Sequence, residues 1–312
     1  MLATLFILHC LAWGEPAMTE RELFLQLEKL GVGCYKTNNR IDLAAHSMQT
    51  EAHMPLVAQL RDLDELHCNS SILSDKGLAC LKGHPRLRHL EILSTQVTPD
   101  GLAILETLPN LQILDLNLSI GGDQALQQIG KCKSLKELSF RGSDITSRGM
   151  AFLKNLSQLE SLDLSYSAHL TSDGLTVLKN FPRLTGLTLS ECPADEAALD
   201  TIAQLKNLES VSLGPNNSTD TAIAKLKTLP KLVSLGFHGS RLTANGLQQL
   251  PAQLELLDIR DLELDDKKLS ALLHLRKAQA LVLNGKTVSK ASQKAFKKAF
   301  RQGRDDLPNI SW

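Results

Sequence analysis

Residues Leu135–Gln158 read LKELSFRGSDITSRGMAFLKNLSQ, and residues Leu159–Arg183 read LESLDLSYSAHLTSDGLTVLKNFPR. Both open on a spaced leucine triplet, pass through Ser and Thr, reach a Gly followed by an apolar residue, and close on a helical pattern. Self-similarity at a fixed period decides a fold before any single residue does. Units of this kind start at Leu63, Leu87, Leu111, Leu135, Leu159, Leu184, Leu208, Leu232, Leu254 and Ala278. The intervals are 24, 24, 24, 24, 25, 24, 24, 22 and 24 residues. A weaker unit precedes them, with Ile41, Leu43 and Met48 spaced as Leu90, Ile92 and Val97 are.

Within a unit, the apolar residues at positions 1, 4 and 6 face inward, and the 4-x-6 alternation predicts a short strand. Position 9 carries Ser71, Thr95, Ser119, Ser143, Ser167, Cys192, Asn216 or Ser240, small groups suited to a turn whose amides need partners. Thr98 and Thr146 follow as expected N-caps, with Pro99 at the first helical position and Asp100 in the first turn. Leu102, Leu105 and Leu108 have the spacing of one buried helix face, and further helices are expected near Leu126, Met150, Leu175 and Leu247. A unit of strand, turn and helix cannot bury its own leucines, whereas a stack of units can.

The pattern L-x-x-L-x-L with a small polar residue at position 9 resembles the leucine-rich repeat. The 24-residue length and second halves such as VTPDGLAIL and ITSRGMAFL are similar to the helix-bearing varieties: the cysteine-containing, ribonuclease-inhibitor-like type, and the arrays of secreted bacterial, planctomycete-type proteins. LEKLGVGCYKTNNRIDLA and LPNISW resemble the edges of the latter. The resemblance implies an α/β fold, a curved solenoid with a parallel sheet on the concave face, helices on the convex face and a partner on the concave side. The expected division is a leader at 1–14, a capping helix and linker at 19–38, about 11 repeats over 39–288, and a capping helix with tail at 289–312.

Composition fits a leucine ladder: aromatics are 4 % of residues and hydrophobic residues 43 %. Lys+Arg and Asp+Glu both number 34, so no global field draws nucleic acid or an anionic membrane. Leu2–Trp13 is an apolar run too short to span a bilayer. Ala12 and Gly14 offer the small residues of a signal-peptide cleavage site, although the segment before the run lacks Lys or Arg. The competing reading is a buried first helix that caps the stack. Thr19–Leu30 reads as an amphipathic helix with Thr19 at its N-cap and Gly31 at its end. Secretion, a periplasmic or an envelope location is expected, with the cytoplasm as the alternative. Six cysteines form neither a C-x-x-C nor a disulfide framework, so buried free thiols are expected.

No P-loop, H-E-x-x-H or G-x-S-x-G occurs, so neither an enzymatic site nor a cofactor is expected. The binding candidates occupy outward strand positions: Glu65, His67, His89, Glu91, Asp115, Asn117, Glu137, Arg141, Asp163 and Tyr166. Strands lie about 4.8 Å apart, which places His67, Glu91 and Asp115 in one row. That row reads as a solvated face, as a polar contact patch or as an adventitious metal site, and no dedicated metal ligands are expected. Arg141 and Tyr166 are the favoured anchors. The outward residues of the repeats that start at Leu159, Leu184 and Leu208 are mostly small and neutral, from Ser161 to Gly214. Lys286–Arg304 predicts a basic amphipathic helix resting on Phe296 and Phe300. The functional expectation is a monomeric, non-enzymatic recognition module for a protein partner, with no nucleic acid and no membrane span. The alternative is an intracellular F-box-type adaptor that selects substrates for a ubiquitin ligase.

Overall fold

The computed structural model describes residues 18–37, 40–44, 50–68, 72–117, 121–193, 195–215, 218–303 and 308–312. Residues 1–14, Met48, Ser71, Ser119 and Asn216 lie outside that set. The chain divides into two compact units, residues 1–143 and 144–312.

The first unit begins with the helix Glu20–Lys29. Thr19 caps it through a capping box: its hydroxyl accepts from the Glu22 N–H, and the Glu22 carboxylate accepts from the Thr19 N–H. Gly31, at φ +78°, takes the left-handed turn past its end. Strands β1 (Gly33–Thr37) and β2 (Arg40–Ala44) then pair antiparallel. The sequence reading treats Gly33–Thr37 as linker; it is a strand that covers the edge of β2. Strands β3 (Leu63–Cys68), β4 (His89–Leu93), β5 (Ile113–Asn117) and β6 (Glu137–Arg141) follow in parallel order. Leu66, Leu90, Leu114 and Leu138 stand side by side across them.

The second unit repeats this plan. Its strands are β7 (Ser161–Asp163), β8 (Gly186–Leu189), β9 (Ser210–Leu213), β10 (Ser234–Phe237), β11 (Leu256–Asp258), β12 (Ala280–Val282) and β13 (Asn309–Ser311), all parallel. β13 belongs to the stretch read as a tail. Its lone apolar residue, Ile310, sits beside Leu281, too little alternation to announce a strand. The helix Lys290–Arg301 buries Phe296 and Phe300 and leaves its lysines outside, and Lys297 lies 5.7 Å from the Trp312 ring.

Inward positions 1, 4 and 6 of the ten units are closed to solvent, none more than 2 % exposed. Each fully buried aliphatic side chain contributes about 1.5–3 kcal/mol of transfer free energy. Behind the strands the helices are short. Gly101–Thr107, expected as α-helix, is a 3-10 helix. The triplet spacing of Leu102, Leu105 and Leu108 fits it, because residues three apart eclipse in a 3-10 helix. Its larger rise also lets few residues cross the width of a repeat.

Thr98 is not the cap of that helix. Its N–H and hydroxyl donate to the Asp75 carboxylate of the preceding repeat, at 2.7 and 2.6 Å. Thr146 does cap its own helix, accepting from the Arg148 N–H. Links between repeats recur. Ser74 donates twice to Glu51 (3.0 and 2.7 Å), and Thr243 donates twice to Asp220 (3.0 and 2.5 Å). They also explain the glycine of the repeat. A Cβ at Gly101 would overlap the Asp75 carboxylate, and one at Gly246 the Asp220 carboxylate. Where the preceding repeat offers Pro99 or Ala244 at that place, the next repeat carries Ala125 or Lys268 instead of glycine.

Candidate functional site

With positions 4 and 6 turned inward, the pleat turns positions 3 and 5 to the opposite face. In the first unit the strand register places Glu65 beside His89, and sets His67, Glu91 and Asp115 in one row. The side chains converge further than the row alone requires. His67 Nδ1 lies 2.9 Å from Glu91 Oε2, and His89 Nε2 lies 3.2 Å from Asp115 Oδ2 on the diagonal. The other ring nitrogens, His67 Nε2 and His89 Nδ1, approach one atom, Glu65 Oε2, at 3.5 and 3.7 Å. The two rings meet edge to face, with centroids 4.7 Å apart and planes at 79°.

Burial works against a charge on His89, but the Asp115 hydrogen bond and the Asp115, Glu65 and Glu91 charges outweigh it, so its pKa is raised. On the inward side Cys68 is pushed up to about 12, first by burial and then by Glu91, and Cys192 to about 11, chiefly by burial. Such thiols stay protonated and unreactive near neutrality. The described cysteines 68, 80, 132 and 192 are free.

Of the other predicted site residues, Glu137 and Arg141 lie on β6, Glu137 exposed beside Ile113 and Arg141 half-buried. Asn117 is on β5, with its side chain outside the described set. Asp163 and Tyr166 belong to the second unit. Asp163 accepts from the Ser165 N–H and hydroxyl at 2.9 and 2.5 Å. Tyr166, at φ +63°, is 54 % exposed and donates its N–H to the Ser190 carbonyl. The sequence reading missed a second charged group, at the end of the array. There Arg260 pairs with Asp258, His238 Nδ1 lies 3.3 Å from Asp261 Oδ2, and Leu256 is exposed. Asp258 and Arg260 stand at outward positions 5 and 7, the signal by which they were findable.

The model of the Zer-1-like leucine-rich-repeat family matches residues 150–272. The chain is a leucine-rich-repeat protein. The crystal structure of an internalin (inlF) from Listeria monocytogenes str. 4b F2365 superposes with a TM-score of 0.51 at 18 % identity, over 86 % of this chain and 76 % of that one. That likeness is one of fold. The plant peptide hormone receptor RGFR1, in complex with RGF2, aligns with a TM-score of 0.43 at 18 % identity, over 74 % of this chain and 38 % of the receptor chain. No curated protein matches the chain by sequence. Among the described residues of this leucine-rich-repeat chain, no helix is long and apolar enough to cross a membrane.

Proposed function

We propose that the protein is a monomeric, non-enzymatic recognition module, secreted or envelope-associated, which binds a protein partner through the outward face of its strands. The observation that carries this reading is the convergence of Glu65, His67, His89, Glu91 and Asp115 on one face of the first unit. The fold does not require polar chemistry there. With Glu137 alongside, acids predominate, so the partner presents Lys or Arg, and its association slows as salt rises. Asn117 and Arg141 are further contacts of this face in the first unit, and Asp163 and Tyr166 are contacts on the outward face of the second unit taken by itself.

A partner isolated by affinity capture is to be titrated against Glu65→Gln/Glu91→Gln/Asp115→Asn and against Arg141→Ala/Tyr166→Ala, each checked for folding by circular dichroism. The triple variant should bind at least about 30-fold more weakly, as loss of a central cluster does. Unchanged affinity in a folded triple variant overturns the reading. A second reading, an intracellular substrate adaptor of a ubiquitin ligase, is favoured by the match of residues 150–272 to the Zer-1-like repeats. It requires a partner that co-purifies with ligase subunits.

A further inference from the structure

We infer that Glu65, His67 and His89 form a binding site for a divalent transition-metal ion of the zinc class. The inference does not depend on a protein partner. Its basis is the arrangement of three ligand atoms from adjacent strands, all within 4.8 Å of one another. Zinc bound tetrahedrally by nitrogen and oxygen at about 2.0–2.1 Å keeps its ligands about 3.3–3.4 Å apart. Glu65 Oε2 stands 3.5 Å from His67 Nε2 and 3.7 Å from His89 Nδ1, so these two edges need only a small contraction, and the edge between the two rings closes from within 4.8 Å. Both separations are long for a hydrogen bond, which closes at about 2.7–3.2 Å. They leave room for an ion.

The rest of the cluster supports the same assignment. A histidine that binds a metal through one nitrogen commonly donates its other N–H to a carboxylate, which fixes the tautomer and raises the basicity of the ligand. Both histidines here have that partner: His67 Nδ1 faces Glu91 at 2.9 Å, and His89 Nε2 faces Asp115 at 3.2 Å. In the neutral rings, with those protons committed, the lone pairs of His67 Nε2 and His89 Nδ1 are directed at the Glu65 carboxylate. A divalent ion there accepts all three groups and takes the place of the proton that the surrounding acids favour on His89. Three carboxylates around two imidazoles also leave a surplus of negative charge for a divalent ion to offset.

Two imidazoles and one carboxylate suit Zn²⁺, and Co²⁺ as its spectroscopic substitute, and disfavour Mg²⁺ and Ca²⁺, which take oxygen ligands. Three protein ligands leave a fourth position for water or an added ligand. A competing set, His89 with Glu91 and Asp115, has only one imidazole and draws on the same ring.

The test uses the full chain without a histidine tag, dialysed against a chelator and titrated calorimetrically with ZnCl₂ and with MgCl₂. Visible absorption of the Co²⁺ form reports the coordination geometry. One Zn²⁺ per chain, no Mg²⁺, and a tetrahedral Co²⁺ spectrum are expected. His67→Ala, His89→Ala and Glu65→Gln should each weaken Zn²⁺ binding at least about 100-fold. Glu91→Gln and Asp115→Asn, which act through the rings, should weaken it about 10–100-fold. His238→Ala, in the second unit, should leave it unchanged. All these side chains are outward and partly exposed, so the variants should fold. If the histidine variants do not, Glu65→Gln against Asp115→Asn carries the test. Absence of stoichiometric Zn²⁺ binding overturns the inference. So does Zn²⁺ binding that survives Glu65→Gln or His67→Ala, or a greater loss with Asp115→Asn than with Glu65→Gln.

Discussion

The strands of the first unit and those of the second share an inward side and differ on the outward one. Leu138 on β6 and Leu187 on β8 are alike in burial, at 2 % and 1 % exposure, each beside an apolar residue on an adjacent strand, Leu114 on β5 and Val211 on β9. Turned outward, β3, β4 and β5 present Glu65, His67, His89, Glu91 and Asp115, where β8 and β9 present Gly186, Thr188, Ser210 and Ser212. One fold supports both faces. The inward residues are therefore fixed by stacking, and the outward ones are free to be chosen for another purpose.

Four measurements would break or sharpen that contrast. The largest effect is expected inside. Leu138→Ala and Leu187→Ala should each cost about 2–5 kcal/mol in a denaturant titration, whereas the exposed Glu137→Ala should cost under about 0.5. A loss confined to one of the two leucines would mean that the units do not share a core plan. Next comes the close contact between repeats. Gly101→Ala in the first unit and Gly246→Ala in the second should each cost about 1–3 kcal/mol, since the added methyl meets a carboxylate already bonded to Thr98 or Thr243. Restored stability on pairing Gly246→Ala with Asp220→Ala would locate the clash.

A third measurement concerns pH. Burial lowers the pKa of His84 below the ordinary 6.5, opposed by its bond to the Leu60 carbonyl, while the ring accepts from the Arg86 and Leu87 N–H groups. With the folded-state pKa depressed, the stability that His84 supplies is complete above about pH 6.5 and is lost as pH falls through the folded value. The gap in unfolding midpoint between the protein and His84→Gln should therefore widen as pH rises from about 5 to 8; a gap that narrows would refute the assignment. The smallest effect belongs to the neutral face. Ser212→Ala removes a 3.1 Å contact between hydroxyls, with Ser190, and should change stability by less than about 0.5 kcal/mol.

The inward pattern was legible because burial repeats the same demand every 24 residues or so, and Leu66, Leu90, Leu114 and Leu138 answer it alike. Thr98 was misread because its partner, Asp75, lies 23 residues upstream, whereas capping rules look only a few residues along the chain. β13 escaped because one isoleucine makes no alternation. At the candidate site, the row of His67, Glu91 and Asp115 followed from position alone. The approach of His89 to Asp115 did not, since it joins position 3 to position 5 and depends on how the side chains lean.

The acid in one repeat and the glycine in the next give the array a grammar. Asp75 demands the smallness of Gly101, and Asp220 that of Gly246, while Ala244 lets Lys268 stand in the same slot. A duplicated or transplanted repeat therefore fits only behind a neighbour whose leading residue suits its own third helical position. Lengthening this protein is an operation on pairs of adjoining repeats, and a designer who copies a single 24-residue block will have placed the seam in the wrong place.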